Sequence, residues 1–379
     1  MAMNFKIPFF LHDLGVDEVH AFAEALQSPI LTTGELVARF ENQFASYLGQ
    51  NHAIGVTSCT AALHLALLGL DIGPGDEVIT TPMTFIATST AILQAGAKPV
   101  LVDVEPDTGN LDANAIERVI TKKTKAIVPV HLYGLMCDMR ALRAIADQHG
   151  LKVIEDCAHC IEGSRDGIRP GELGDAACFS FFATKNITCG EGGAVTTNDP
   201  VLAKRLRLLR SHGMTATSSD RFKDGYKPWD MEIFGWKYNM SNLQAAILLP
   251  QMKRITANFE KRQSRAKTYV EALAAIKGVR MPATRPNSVH ARHLFTIWLT
   301  PPLRDKAISE LTREGIGITV NYQAIHLTSY LSHTLGYKAG DFPIAERIGS
   351  ETLSLPFYPN LSDENIETVA RRLHDIIER

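Results

Sequence analysis

Between about positions 50 and 200 the chain alternates short apolar runs with segments of helical period. Ala53-Ile54-Gly55-Val56-Thr57 reads as a strand, and Cys59 to Leu70 carries apolar residues at helical spacing behind a Thr57 or Ser58 cap. The pattern then repeats. Glu77 to Thr80 predicts a strand and Thr84 to Ala95 a helix. Pro99 to Asp103 predicts a strand and Ala113 to Ile120 a helix. Ala126 to Val130 predicts a strand, Met139 to His149 a helix, and Val153 to Asp156 a closing strand. Strands this apolar, separated by helices, predict an α/β fold whose mostly parallel sheet is buried on both faces. A ligand then sits outside the carboxyl ends of the strands, where Thr57-Ser58, the Thr80-Thr81-Pro82 turn and Asp156 fall.

Further on, Met240 to Leu273 predicts one or two long helices with charges set against an apolar face. The last third reads as a smaller α/β unit. It has a strand near Leu294 to Trp298, a helix from Arg304 to Arg313, a strand near Ile316 to Asn321 and a terminal helix from Asp363 to Glu378. The polar stretch 214–233 predicts a surface loop. The expected division is a large domain over 1–250, with an arm over about 1–35, and a small domain over 251–379.

Composition changes this picture little. A chain of 379 residues suits about two domains. The net charge of −2 gives no basic patch for nucleic acid. No apolar run reaches the ~18 residues of a membrane span, and Met1 to Lys6 shows no signal-peptide core. The expectation is a cytoplasmic protein with no membrane or nucleic-acid partner, whose six cysteines are reduced thiols. Cys157-Ala158-His159-Cys160 has CxxC spacing, but it follows a strand end and no second pair accompanies it, so neither a metal nor a redox role is predicted.

The candidate chemistry centres on Lys185, which lies in Phe179-Ser180-Phe181-Phe182-Ala183-Thr184-Lys185-Asn186-Ile187-Thr188-Cys189-Gly190-Glu191-Gly192-Gly193. An amine held between an apolar wall and a tight turn can lose its proton and attack an aldehyde. Alone it would read as a surface lysine beside a turn. Ser180, five positions earlier, could bind a phosphate, which suggests a lysine that forms a Schiff base with pyridoxal phosphate. That chemistry also needs a carboxylate facing the pyridine nitrogen, an aromatic ring on the cofactor face and donors for the phosphate. Asp156, at a strand end, fits the first. Phe85, in Thr80-Thr81-Pro82-Met83-Thr84-Phe85, fits the second. Thr57-Ser58-Cys59-Thr60-Ala61-Ala62, where a strand turns into a helix N-terminus, fits the third. Singly these would read as a helix cap, a core aromatic and a plain N-cap; in one α/β domain they converge.

The chain resembles the fold-type I, pyridoxal-phosphate-dependent sugar aminotransferases of the DegT/DnrJ/EryC1/StrS family. The matching segments are SPILTTGE (Ser28 to Glu35), TSCTAALHLAL, GDEVITTPMTF, PVHLYG, VIEDCAH, the Lys185 run, FGWKYNMSNLQAA, HLF and LSLPFYPNLS, which span nearly the whole chain. Within the family IEDCAH, KNITCGEGG, GWKYNMS and HARHLF look most like the subset that aminates the 4-keto group of UDP-4-keto-L-arabinose. The resemblance implies that Lys185 is the Schiff-base lysine and Asp156 the pyridinium partner. It places Phe85 on the ring, His159 over or beside it near the sugar, and Thr60, Ser180 and the backbone at Ser58 and Cys59 on the phosphate. It implies a homodimer whose active sites are shared, with Lys237 and Asn239 reaching in from the neighbouring subunit. His326, Tyr322 and His293 would lie near the substrate entrance. Cys59, where many members have Gly, and Lys237 and Asn239, where many have Asn and Arg, depart from the common pattern.

The implied reaction runs in two halves. L-Glutamate leaves its amino group on the cofactor, giving pyridoxamine phosphate, and a nucleotide-linked keto-sugar then takes the group. The product would be an amino-sugar nucleotide for cell-surface polysaccharide or lipopolysaccharide. UDP is favoured as the nucleotide and C4 as the position, and the loops 214–233 and 286–293 would set the sugar. The alternatives are an inactive regulatory or binding protein on the same fold, against which Lys185 and Asp156 stand, and a sugar dehydratase, whose relatives carry histidine at the lysine position. A cysteine-desulfurase or lyase chemistry does not suit the GWKYNMS and SPILTTGE segments.

Overall fold

In the computed structural model, which describes residues 5–215 and 228–379, the alternating runs build a seven-stranded sheet. Two helices, α1 (Val16–Leu26) and α2 (Glu35–Leu48), precede it. The chain then runs β1 (His52–Val56), α3 (Cys59–Gly69), β2 (Glu77–Thr80), α4 (Ala87–Gln94), β3 (Lys98–Leu101), β4 (Thr124–Ile127), α5 (Met139–His149) and β5 (Lys152–Asp156). A two-residue β6 (Ser164–Arg165), β7 (Ala176–Ser180), β8 (Gly193–Thr197), α6 (Pro200–Leu209) and the long α7 (Asn242–Leu273) follow. The last part comprises β9 (Ser288–Val289), β10 (Phe295–Trp298), α8 (Pro301–Arg313), α9 (Ser329–Leu335), α10 (Pro343–Glu351), β11 (Thr352–Leu355) and α11 (Asp363–Glu378).

The sheet order is β1-β8-β7-β5-β4-β2-β3, and β8 alone runs against the other strands. Because β8 is reversed, its first residue lies at the edge where its neighbours end. Gly193 pairs with Val56 on one side and Ser180 on the other, while Asp156 pairs with Cys178 of β7. One rim of the sheet therefore gathers the ends of β1, β5 and β7 and the start of β8.

Both faces are covered, as the near-continuous apolar strands require. Ile54, Val56, Cys178 and Val195 pack with Leu65 and Leu67 of α3 and Leu202 and Leu206 of α6. On the opposite face Ala53, Ala177, Phe179 and Ala194 meet Phe40, Phe44 and Leu48 of α2 and Leu248 of α7, and Ile79, Ile127 and Val153 meet Leu142 and Ala146 of α5. A separate core joins Tyr269 and Leu273 at the far end of α7 to β10, β11, α8 and α11, with Ile7 of the arm. The division expected at 250/251 thus falls inside α7, which both cores share. Among the described residues no helix is long and apolar enough to cross a membrane.

Three expected elements differ. The helix over Ala113 to Ile120 is instead two 3-10 turns, Ala113–Ala115 and Glu117–Val119. Asp112 accepts from Asn114 N–H and closes the first turn tightly, and Ile116, Val119 and Ile120 are β-branched and poor at continuing a helix. The helix expected from Thr84 begins at Ala87, since Thr81 to Ile86 pass along the rim. The strand near Ile316 to Asn321 is reduced to isolated bridges, Ile7 to Ile316 and Thr319 to Ser354. The arm takes its hydrogen bonds there, with Ile7 N–H donating to Gly315 and Gly317 N–H to Ile7. Of the loop expected over 214–233, positions 216–227 lie outside the described residues, as do the first four of the arm.

Phe44 sits edge-on to both Phe179 and Phe181, at 5.0 and 5.3 Å between centroids, and is fully buried. Phe44→Ala is expected to cost about 3–5 kcal/mol, read as a lowered urea midpoint.

Candidate active site

Lys185 reaches the rim because β7 ends in a turn that doubles back into β8. Phe181 N–H donates to the Gly192 carbonyl at 2.8 Å and Lys185 N–H to Phe182 at 2.9 Å. Gly190 takes a positive φ of 83° in that turn, which favours glycine. Gly193 is needed for another reason. A Cβ there would lie 2.4 Å from Ser58 C and 2.6 Å from Cys59 N, so β8 passes against the start of α3 only without a side chain.

A cavity of about 550 Å³ opens over this rim, a size suited to a small-molecule ligand. Lys185, Asp156, His159, Phe85, Tyr322 and His293 all line it, together with Ser58, Cys59, Thr60 and Ser180. The Lys185 side chain is half-buried, its open part facing the cavity. Loss of water around the ammonium lowers its pKa to about 8, against the opposing pull of Cys59 and Asp156. Asp156 is buried, and burial raises its carboxyl pKa although Ala158 N–H, at 3.1 Å, and the Thr88 hydroxyl, at 2.8 Å, both donate to it.

The start of α3 faces the same space. Ser58 Oγ caps the helix by accepting from Ala61 N–H at 3.1 Å, which leaves the first-turn N–H groups and the helix dipole directed at the cavity. Ser180 Oγ accepts from Phe182 N–H at 3.3 Å and keeps its own proton to donate. Phe85 stands 56% exposed at the mouth, tilted against Tyr322 at 5.9 Å between centroids. His159 is buried and held neutral, first by desolvation and then by Lys185. Tyr133 N–H donates to its Nδ1 at 3.2 Å, so Nε2 carries the proton and donates to Tyr322 Oη at 3.0 Å. The Tyr322 hydroxyl proton is then available to a ligand.

These residues fit pyridoxal phosphate. A buried carboxylate faces the cavity, and a cationic ring nitrogen beside it would offset the desolvation that raises its pKa and so favour its charged form. An amine whose pKa is lowered to about 8 lies near it, and a helix N-terminus with a serine hydroxyl suits a dianion.

Three expected residues lie elsewhere in the chain. His326 is fully buried, its Nε2 3.0 Å from Glu346 Oε1 and its ring edge-on to Phe342, and it does not line the cavity; the expected place at the substrate entrance is corrected. Its element turns it into the Phe342 core, whereas Tyr322, four residues earlier, faces the cavity. Lys237 and Asn239 also lie off the cavity of their own chain. Lys237 Nζ donates to Asn239 Oδ1 at 2.6 Å, and Asn239 Nδ2 donates to Thr33 Oγ1 at 2.7 Å. Cys157 and Cys160 are buried, and burial raises both thiol pKa values.

Sequence reasoning missed Thr88 and Asn186. Thr88 takes a hydrogen bond with Thr84 at 2.8 Å and passes its own proton to Asp156. Its spacing of three from Phe85 would have put it on the same helical face. Nothing in the local pattern marks Asn186, whose partners are distant in sequence.

A seven-stranded, mostly parallel sheet with this rim is the fold of fold-type I pyridoxal-phosphate-dependent transferases. The profile of the DegT/DnrJ/EryC1/StrS aminotransferase family matches residues 12–374, and the chain belongs to that family. It is 40% identical over 381 residues to the spore coat polysaccharide biosynthesis protein SpsC of Bacillus subtilis, covering 99% of this chain and 98% of the relative. Spr1654 of Streptococcus pneumoniae, described as a sugar aminotransferase and solved in its PMP form, superposes with a TM-score of 0.93 at 29% identity, over 98% of this chain and 99% of its own. Helicobacter pylori PseC, an aminotransferase of pseudoaminic acid biosynthesis, superposes with a TM-score of 0.90 at 28% identity, over 98% of this chain and 99% of its own.

In the cofactor-free chain Lys185 is expected to be half-neutral near pH 8, against ~10.4 for an ordinary lysine. Because the shift is downward, its labelling by an amine reagent should rise through that lower pH. Competitive labelling read by mass spectrometry would show a midpoint near 10.4 if the site did not desolvate the amine.

Proposed function

We propose that this chain moves an amino group from L-glutamate to a nucleotide-linked keto-sugar, with a UDP-linked 4-keto sugar of the arabinose type as the favoured acceptor. The observation that carries the reading is the pairing of a desolvated Lys185 amine with the buried Asp156 carboxylate in one cavity. Family membership supplies the reaction class, and the polysaccharide role of SpsC supports a sugar destined for the cell surface. The cytoplasm, where nucleotide sugars form, is the proposed location.

When bound, pyridoxal phosphate supplies a carbonyl to carry the amino group and a protonated ring that accepts the electron pair left at the donor's Cα. The protein does the rest. Lys185 Nζ, its pKa lowered to about 8, takes the proton from the donor's Cα and returns one, first as base and then as acid. Asp156 would hold the proton on the ring nitrogen. The first turn of α3 around Ser58, Cys59 and Thr60, with the Ser180 hydroxyl, anchors the phosphate. Phe85 and His159, which line the cavity, would flank the ring, and Tyr322 would offer its hydroxyl proton to the acceptor. His293 stands beside Lys185.

The acceptor's phosphates and the donor's carboxylates need cations. Apart from Lys185, no lysine or arginine among the described residues lines the cavity. Lys237 and Asn239, joined to Thr32 and Thr33 of the SPILTTGE segment, lie off the cavity of their own chain. A homodimer in which these residues enter the neighbour's cavity supplies the missing charge.

The test is the visible spectrum of the protein loaded with pyridoxal phosphate. Absorbance near ~410–430 nm should shift toward ~330 nm on adding L-glutamate, and titration with the correct keto-sugar nucleotide should remove the amino group and bring the ~410–430 nm band back. No shift with glutamate would point to another donor, and no uptake of the cofactor would sink the reading. Lys185→Ala should still bind cofactor yet give no turnover. Asp156→Ala should lose orders of magnitude in rate and bind the cofactor more weakly, and a near-wild-type rate would remove Asp156 from its role.

A further inference from the structure

The geometry points to His293 as a positioning residue that orients the Lys185 amine, with Asn186 setting which imidazole nitrogen faces it. His293 is buried, and its Nε2 lies 3.3 Å from Lys185 Nζ while its Nδ1 lies 3.3 Å from Asn186 Oδ1. Which nitrogen bears the proton follows from the amide. Asn186 Nδ2 donates to Glu162 Oε2 at 2.8 Å and to the Ala291 carbonyl at 3.2 Å. The carbonyl can only accept, so the NH2 group must face that side and Oδ1 must face His293. His293 Nδ1 therefore carries the N–H, and its Nε2 is a bare acceptor pointed at Lys185. The ring stays neutral, because desolvation, then Lys185, His159 and Arg262, all oppose its protonation.

The neighbouring imidazole is set the other way. His159 lies 4.5 Å from His293 between centroids, and its Nδ1 accepts from the Tyr133 backbone. Two adjacent neutral histidines thus present opposite functions, an acceptor toward Lys185 and a donor toward Tyr322. A lysine amine turns freely about its last bond unless something holds a proton of it. With one N–H given to His293, the lone pair is turned to the remaining directions, on the cavity side where Asp156 and the reacting atoms lie. The arrangement depends on a chain of contacts from Glu162 through Asn186 to His293; burial raises the Glu162 carboxyl pKa, and the Arg262 charge and the Asn186 amide pull against that rise.

This inference rests on Lys185 being the reacting amine, so the first readout is taken on the cofactor-free full chain, where turnover plays no part. Nitrogen NMR of histidine-labelled protein should show His293 as the Nδ1–H tautomer, its signal assigned by loss in His293→Gln. In Asn186→Ala that signal should move toward the Nε2–H form. His293→Leu should lower the pH midpoint of Lys185 labelling, because a lost acceptor disfavours the ammonium. In the loaded enzyme it should lower kcat by about 10–100-fold with little change in KM. His293→Gln, which keeps an acceptor oxygen, should recover part of that loss. An Nε2–H tautomer in the wild-type chain would overturn the proposal, as would a His293→Leu enzyme with wild-type kcat and labelling midpoint. Turnover by Lys185→Ala would sink the catalytic reading of Lys185 and leave the tautomer measurement standing.

Discussion

The burial of two groups of opposite charge tendency, Lys185 and Asp156, governs this molecule. Neither is comfortable alone. Desolvation drives the amine toward neutrality and the carboxyl toward protonation, and the residual attraction between them opposes both shifts without cancelling them. The pair is therefore poised, stable enough to fold and unsatisfied enough to favour a ligand that brings a cationic ring and an electrophilic carbonyl. The Thr84–Thr88–Asp156 chain and the Ala158 N–H temper the cost on one side, as Cys59 and His293 do on the other.

What holds the two in register is the sheet. Reversing one strand, β8, brings the glycine-rich end of the Lys185 turn to the same rim as Asp156, Ser180 and the start of α3. The reversal works only because Gly193 has no side chain to strike Ser58 and Cys59. The glycine-rich run that follows the lysine is thus a packing device as much as a turn. It lets a strand end and a helix N-terminus approach closely enough to line one cavity.

The second layer of the site consists of hydrogen bonds that choose tautomers. A backbone N–H from Tyr133 and an amide oxygen from Asn186 decide what His159 and His293 present to the cavity. Such contacts cost little sequence, one residue each, yet they convert two chemically identical rings into a donor and an acceptor.

Much of this was written in the order of residues. The alternation of apolar runs predicted the parallel sheet, Ser58 read as a cap and is one, and Lys185, Asp156, Phe85 and Ser180 could be named from strand ends and turn chemistry, which are local. Helices α5 and α11 were legible to the residue because their periodicity and caps agree. The stretch Ala113 to Ile120 was not, since β-branched residues and a capping aspartate divided the signal between helix and turn. The reversal of β8 was not legible either, because strand direction is a property of the partner and leaves no local mark. By itself the sequence determined which segments are apolar, where they stop and which chemical groups stand at those stops. Only the tertiary structure decided that His293 meets Lys185 from 108 positions away and Asn186 from 107, while His326 turns into another core, because contacts between distant segments depend on how the layers pack and not on the period of any one of them.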